Sequence, residues 1–338
     1  MLHVGLDLHK RFSTVTVMDD NGTVLEQDKL YHDDRARLIE FFRRLAGKAV
    51  VTVEATRNWY WLYELLEELG LTVKLASARK VRLIAEATLK NDKVDPVTLA
   101  QLERTGFLPE AYIPPREIRD NREYLRYRLT LVRLRTGLKN NVHALVDKLG
   151  INHRFTDLFC PAGRRFLGQL QLRPVYQEEL VNYLALVDDL ERRILAATKD
   201  IKRQLKPDPR AELLMTIPGI GHLTAYLLLN EIGDVTRFPS AAKLCSYAGI
   251  VPVVRESADH RWQGHITREG NGHIRWALTE SACLAPSKDY WLGCFYRRLA
   301  ARRGPLKARV AVARKLLVIV WHVLTYGEPY RVTVPPTI

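Results

Sequence analysis

The stretch HVGLDLHKRFSTVTVMDDNGTVLEQDKL, residues 3–30, decides the fold of the first part of the chain. Apolar and polar residues alternate in HVGLDL, FSTVTVMD and TVLEQDKL, which is the period of a β-strand with one buried face. Asn21-Gly22 lies between the second and third runs, and this dipeptide favours the tight turn of a hairpin. The stretch therefore predicts three consecutive strands that enter an antiparallel hairpin arrangement.

The next segments alternate between helix and strand. An amphipathic helix is predicted near 34–46, a strand over AVVTVEA (49–55), a helix over 59–70 and a strand over LTVKLAS (71–77). The strand 49–55 is apolar throughout, which indicates burial on both faces of a sheet. The order β-β-β-α-β-α-β-α matches an α/β domain of the RNase H-like (RuvC-like) fold.

Long helices are predicted over 116–206, where apolar residues recur at spacings of three and four, as in a coiled-coil seam. The first run comprises Leu131, Leu134, Leu138, Val142, Leu145 and Leu149. The second comprises Leu180, Tyr183, Val187, Leu190, Ile194, Ala197 and Ile201. A loop at 161–166 separates the runs, so an antiparallel coiled-coil hairpin is expected. The predicted domains are 1–115, 116–206 and a mostly α-helical 207–338.

The chain carries an excess of positive charge. Lys and Arg number 52 against 38 Asp and Glu among 338 residues, a formal net charge of +14, which favours polyanionic partners such as nucleic acid. The first long helix contributes Arg119, Arg122, Arg126, Arg128, Arg133, Arg135 and Lys139. Three interpretations of this helix remain open: a solvated face, a basic rail for phosphates, and an intersubunit stalk.

Other features bound the cellular setting. The four cysteines lie far apart without a C-x-x-C pair, which indicates reduced thiols rather than a zinc site or a disulfide framework. The N-terminal residues lack the pattern of a signal peptide. The apolar stretch 310–324 is interrupted by Arg314 and Lys315, which excludes a membrane span there. We expect a cytoplasmic protein, associated with the nucleoid.

Four carboxylates form a candidate metal site. Asp7 lies near the end of the first strand and Glu54 near the end of the central strand, and these strands are neighbours in an RNase H-like sheet. Asp92 and Asp95 are three residues apart at the start of a predicted helix, so they share a face. The four charges would repel one another unless cations held them. Mg²⁺, with Mn²⁺ as the alternative ion, would support phosphodiester chemistry here.

The segment 213–234 resembles a helix-hairpin-helix. Two apolar helices flank Pro218-Gly219-Ile220-Gly221, and the backbone amides of such a turn can bind a phosphate oxygen. We therefore predict that Gly219 and Gly221 contact DNA without reading its sequence. A purely structural helical turn is the alternative.

A serine lies in a polar, arginine-rich segment, 246–278. Ser257 is predicted to lie in a loop between two apolar segments, and its hydroxyl could attack a phosphodiester and hold the DNA end covalently. Arginine forks would neutralise the charge that develops in the transition state. The candidate arginines are Arg255, Arg261, Arg268 and Arg275.

In these motifs the chain resembles the DEDD-type, RuvC-like insertion-sequence transposases, which are described as bridge-RNA-guided recombinases. The matching motifs span nearly the whole chain in the family's order. They are VGLDLHK, VEATRNWYW, LKNDKVD, IPGIG, YAGIVP followed by Ser257, and GHITREGN with IRWAL. The chain departs from the common pattern at Arg57, Asn91 and Ala258.

The resemblance implies a bacterial transposase or site-specific recombinase. Asp7, Glu54, Asp92 and Asp95 would form its Mg²⁺ site, and Ser257 would be the nucleophile. It would act as a homo-oligomer, a dimer or tetramer, on donor and target DNA, with a structured non-coding RNA as guide. Two alternatives remain: a RuvC-like junction-resolving nuclease that uses water, and a non-catalytic nucleic-acid-binding scaffold.

Overall fold

The structure, a computed structural model, describes residues 1–55, 58–84, 94–257 and 260–332. The chain divides into two units, Met1–Pro114 and Pro115–Ile338. The three-part division into 1–115, 116–206 and 207–338 stays a prediction.

A six-stranded mixed sheet forms the centre of the first unit. Its strands are β1 (Leu2–Leu8), β2 (Phe12–Met18), β3 (Val24–Tyr31), β4 (Ala49–Glu54), β5 (Thr72–Ala76) and β6 (Glu110–Ala111). They lie in the order β3-β2-β1-β4-β5-β6. Strands β1, β4 and β5 are parallel, while β2, β3 and β6 are antiparallel to their neighbours. This mixed sheet, followed by a mostly helical remainder, confirms the predicted fold class at that level.

Four helices accompany the sheet within the described part of this unit. They are α1 (Arg35–Arg43), α2 (Trp59–Glu68), α3 (Ala78–Ile84) and α4 (Val94–Arg104). Side chains of α1 and α2 share one buried cluster with the even-numbered residues of β1; it includes Val4, Leu6, Leu38, Phe42 and Leu62. Because side chains alternate along a strand, the odd-numbered residues of β1 lie on the opposite face of the sheet.

Helix α4 covers that opposite face. A Cβ on Gly5 would lie 1.8 Å from the carbonyl oxygen of Pro96 and 2.8 Å from the amide nitrogen of Ala100, so only glycine permits this approach. Nearer the start of β1, His3 Nδ1 bonds the Glu103 carboxylate. The helix thus runs antiparallel to β1, and its N-terminal end lies toward the end of the strand that carries Asp7.

We expect Gly5→Ala to destabilise the protein by about 1–3 kcal/mol, because the added methyl must displace the α4 backbone. Gly137→Ala is the matched control. Gly137 lies exposed inside a helix with nothing within 4 Å of an added Cβ, so this change should stabilise by about 0.5–1 kcal/mol. Urea denaturation of the full chain measures both. Equal stability of Gly5→Ala and the wild type would contradict the packing described.

Two long helices begin the second unit. Helix α5 (Arg116–Lys148) packs against α7 (Pro174–Leu205), and the shorter α6 (Pro161–Gln169) lies between them in sequence. Tyr124 Oη donates to Asp200 Oδ2 at 3.0 Å, and Lys139 Nζ lies 3.0 Å from Glu191 Oε1. Residue numbers rise on one helix as they fall on the other, so the pair is antiparallel. Whether it supercoils stays a prediction.

Helix α6 replaces the loop predicted at 161–166, and that prediction was wrong. Pro161 occupies the first helical turn, where its missing N–H costs nothing. Cys160 Sγ accepts a hydrogen bond from Gly163 N at 3.3 Å. Leu167 is fully buried in a cluster with residues of α5 and α7, so tertiary packing stabilises a helix whose composition indicates a loop.

Two further expectations for α5 need correction. Leu134 is 54% exposed and lies outside the predicted apolar seam. Arg119 and Arg122 are buried and do not belong to an exposed basic rail. Arg122 donates from Nε to the carbonyl of Asn230 at 2.8 Å and from Nη2 to that of Glu231 at 3.0 Å. This part of α5 therefore anchors the helix to its own unit.

The rest of the second unit is mostly helical. It comprises α8 (Pro209–Met215), α9 (His222–Ile232), α10 (Ala241–Tyr247), α11 (Gly272–Lys288), α12 (Tyr290–Arg303) and α13 (Pro305–Tyr326). A hairpin of β7 (Pro252–Ser257) and β8 (His260–Ile266) interrupts them. One large apolar cluster joins α8 to α13. Among the described helices, none combines the length and apolarity needed to cross a bilayer.

A buried carboxylate, Glu231, binds the first residue of the Asn-Gly-His-Ile segment, residues 271–274. Glu231 is 2% exposed and accepts a hydrogen bond from Asn271 Nδ2 at 2.7 Å. Asn271 Oδ1 accepts in turn from the amides of His273 (3.0 Å) and Ile274 (3.1 Å), which caps α11. Arg122 Nε lies 3.4 Å from the Glu231 carboxylate and compensates its charge. This network fixes the start of α11 relative to α5 and α9.

Candidate active site

Asp7 and Glu54 occupy matching positions on neighbouring parallel strands. The register pairs Leu6 with Val53, so the next position brings Asp7 beside Glu54, on strands whose backbones lie about 4.8 Å apart. Both lie on the sheet face of Gly5, which is the face that α4 covers. The two predicted carboxylates thus meet at one end of the sheet, where Asp7 is buried.

The other two predicted carboxylates are described less fully. Asp92 lies outside the described residues. Asp95 is the second residue of α4, directly before Pro96, whose carbonyl lies against Gly5; its side chain is not described. Within the described ranges, no three His, Cys, Asp or Glu side chains are grouped to hold a metal ion.

His9 is a member of this site that sequence analysis did not single out. Its Nε2 lies 3.0 Å from Asp7 Oδ2, and its ring packs on Phe12 with centroids 4.5 Å apart. Its backbone carbonyl accepts a hydrogen bond from Asn58 Nδ2 at 3.3 Å. His9 and Asn58 belong to the two sequence motifs that carry Asp7 and Glu54. Neither their spacing nor their charge distinguishes them from the other residues of those motifs.

The donor chemistry of this end of the sheet fits a hard divalent cation. Asp7 and Glu54 supply carboxylate oxygens, the ligands that Mg²⁺ prefers. Two carboxylates on one buried face repel each other, and a cation relieves that repulsion. His9 Nε2 lies 3.0 Å from Oδ2 of the same Asp7 carboxylate.

A cationic and aromatic surface lies beside the acidic site, at the ends of β2 and β3. A cavity of about 650 Å³ there is lined by Lys10, Arg11, Phe12, Lys29, Tyr31, His32 and Asp33. Lys29 Nζ lies 3.7 Å from the Phe12 ring centroid. Burial lowers the pKa of His32 below its ordinary value, so this imidazole is neutral at pH 7 and bonds Ser13 Oγ at 2.8 Å. The fixed positive charge of the surface therefore comes from the lysines and Arg11.

Ser257 lies at the tip of a β-hairpin. It is the last residue of β7 and pairs with His260 of β8, so the prediction that it lies in a polar loop was wrong. Residues 258–259 lie outside the described part, and the side chain of Ser257 is not described.

The predicted helix-hairpin-helix turn lies between α8 and α9. Gly219 has a φ of +83°, and a Cβ there would meet the Ser281 carbonyl of α11 at 2.5 Å. Gly219 is therefore required for packing within the unit. Gly221 is exposed with open space around it and precedes the first turn of α9. Contact of either glycine with DNA stays a prediction.

The four candidate arginines differ in their surroundings. Arg275 donates from Nη1 to the Ala248 carbonyl at 2.9 Å, which fixes it within the fold. Arg268 is exposed and has a φ of +53°. The side chains of Arg255 and Arg261 are not described.

Two family models match the chain. One, described as a transposase of the DEDD IS110 type, matches residues 4–151. The other, described as the transposase IS116/IS110/IS902 family, matches residues 211–297. The first includes all four predicted carboxylates, and the second includes Ser257 and the IPGIG turn.

Relatives that match nearly the whole chain, and one that matches about a third of it, agree with these family models. A probable family 20 transposase of Pseudomonas aeruginosa is 27% identical, covering 97% of this chain and 98% of its own. The transposase for insertion sequence element IS1111A of Coxiella burnetii is 24% identical, covering 97% and 91%. A pilin gene-inverting protein of Moraxella bovis is 36% identical over 36% of this chain and 38% of its own. The chain belongs to the IS110 family of DEDD-type insertion-sequence transposases.

Proposed function

We propose that this transposase cuts and rejoins DNA strands with an acidic Mg²⁺ site and a serine nucleophile. The observation that supports the metal site is the parallel register that pairs Leu6 with Val53, because its continuation places Asp7 beside Glu54. Asp92 and Asp95 complete the site in this proposal. The antiparallel course of α4 over β1 supports it, because that course directs the start of α4 toward Asp7.

A divalent cation bound by these carboxylates would neutralise charge on the phosphate oxygens. The protein's own residues set the geometry. Glycine at position 5 lets α4 approach the sheet, and the sheet holds Asp7 and Glu54 on one face. Lys10, Arg11 and Lys29 lie beside them and supply positive charge for the neighbouring phosphates of the DNA backbone.

In the proposed reaction the Ser257 hydroxyl oxygen attacks a DNA phosphorus. A serine–phosphorus ester forms, the bond to the leaving sugar oxygen breaks, and that oxygen takes a proton. A sugar hydroxyl of the second strand then attacks the ester and restores the serine hydroxyl. One phosphodiester replaces another, so the exchange needs no external energy source. The inversion named for the Moraxella relative also requires rejoining, which supports strand transfer over hydrolysis.

The proposed partners are donor and target DNA, a structured guide RNA and further copies of this chain as a dimer or tetramer. The formal charge of +14 is compatible with two nucleic acids, and the guide follows from the family resemblance. Gly221 at the start of α9, together with Arg255, Arg261 and Arg268, would contribute phosphate contacts.

Asp7→Asn should lower the rate of Mg²⁺-dependent strand transfer by about 100-fold, because one ligand charge is lost while the shape is kept. The rise in melting temperature caused by Mg²⁺ should also disappear. Glu68→Gln is the control, since Glu68 is an exposed carboxylate of the same unit that lies outside this cavity. Full activity of Asp7→Asn in Mg²⁺ would refute the metal role.

Ser257→Ala should abolish the covalent protein–DNA adduct, because the attacking oxygen is removed. The adduct is measured as DNA that remains bound to protein in detergent and is released by protease. Ser246→Ala, which changes an exposed serine of α10, should form the adduct normally.

The alternatives give different results in the same assay. A resolving nuclease would cut DNA in Mg²⁺ without any protease-sensitive adduct. A non-catalytic scaffold would bind DNA with steep salt dependence and show no turnover. An adduct that persists in Ser257→Ala would assign the nucleophile to another residue.

A further inference from the structure

A groove of about 690 Å³ lies between the β7–β8 hairpin and α13. Its cations are Arg268, Arg303, Lys307 and Arg314, and none of the described residues that line it is acidic. Its apolar wall includes Trp262, which is 56% exposed. A groove that combines fixed positive charge with an exposed aromatic ring matches a nucleic-acid strand, which has anionic phosphates and flat bases.

The α13 wall follows from the helical repeat. Lys307, Val310, Ala311 and Arg314 are spaced at three, four and seven residues, so they lie on one face of the helix. Arg303, the last residue of α12, lines the same groove. Lys307 and Arg314 therefore lie in a row along one face of α13, and Arg303 adds a further positive charge.

Trp262 is held as a platform. A Cβ on Gly264 would lie 2.4 Å from the Trp262 ring, so the ring lies directly against this glycine. Trp262 pairs with Arg255 across the hairpin, two strand positions from Ser257, or about 7 Å along the strand. The platform is thus within one nucleotide of the proposed nucleophile.

Arg268 has an unfavourable backbone conformation. Among the described residues it is the one non-glycine with positive φ, at +53°, a conformation that glycine adopts without strain. Backbone bonds hold it there, including Arg268 N to the Gly249 carbonyl at 3.2 Å. Strained residues of this kind cluster at functional sites, and the Arg268 side chain lines the groove.

We propose that this groove holds a single strand of the DNA being cut, with Trp262 stacked on an unpaired base beside the phosphate that Ser257 attacks. The inference rests on the proposed role of Ser257. A single strand is required because duplex DNA keeps its base faces stacked inside, whereas an exposed indole binds the face of an unpaired base. The cations along α13 contact the phosphates that follow.

The test is fluorescence anisotropy of the full-length protein with a labelled oligothymidylate of about 12 nucleotides. Trp262→Ala should weaken binding about ten-fold, and Gly264→Ala, which displaces the ring, should also weaken it. Arg303→Ala should weaken binding several-fold and reduce the salt slope by about 0.7. Arg268→Gly should weaken binding without lowering the melting temperature, since it relieves backbone strain.

Matched controls separate the groove from general charge. Arg302→Ala removes an equal charge from the neighbouring exposed position outside the groove, and Trp276→Ala removes an exposed tryptophan of α11. Both should bind the oligonucleotide as the wild type does. Wild-type affinity of Trp262→Ala, or equal losses in the controls, would overturn the inference. If Trp262→Ala weakened the binding of duplex DNA or oligouridylate more than that of oligothymidylate, the inference would be overturned as well.

The outcomes distinguish this inference from the proposed function. Loss of the adduct in Ser257→Ala, together with normal binding by the groove variants, would leave the nucleophile in place and reject the groove. Weakened binding by the groove variants, together with an adduct that persists in Ser257→Ala, would reject the nucleophile and leave a strand-binding groove without its catalytic partner.

Discussion

The close approach of α4 to β1 at Gly5 is the contact on which the acidic site depends. With no side chain at position 5, the Pro96 carbonyl lies against the strand, and the contact of His3 with Glu103 fixes the direction of the helix. Asp7 is two residues beyond Gly5 on the same face, next to Glu54. The absence of a side chain at position 5 therefore lets the start of α4, which carries Asp95, approach the end of the sheet where Asp7 and Glu54 lie.

The sequence predicts the first unit well because its signals are local. Alternation, the Asn-Gly turn and the apolar β4 each indicate one element, and their order indicates the sheet. The two-residue β6 is too short for a period, and α6 has the composition of a loop, since burial of Leu167 decides its structure. Leu134 fits the heptad spacing but points to solvent, because spacing alone does not say which face of a long helix is covered.

Some residues of the candidate site are predictable from local sequence, and others are recognised only from the fold. Asp7 and Glu54 are predictable because a carboxylate at the end of an apolar strand is unusual. His9 is not, since its role depends on a 3.0 Å approach that only the fold creates. In the second unit, the hydrogen bond between Glu231 and Asn271 gives the Asn-Gly-His-Ile segment a structural role at the start of α11. Gly219 and Arg275 are also held by contacts inside this unit. The groove beside Trp262 joins residues about 40 positions apart, and no local pattern reveals it.

The most direct test of the proposed metal site is anomalous X-ray diffraction from crystals of the protein grown in Mn²⁺. We predict a metal peak within about 2.2 Å of carboxylate oxygens of both Asp7 and Glu54, with Asp92 and Asp95 completing the coordination. Mn²⁺ bound elsewhere on the protein while this end of the sheet holds none would contradict it.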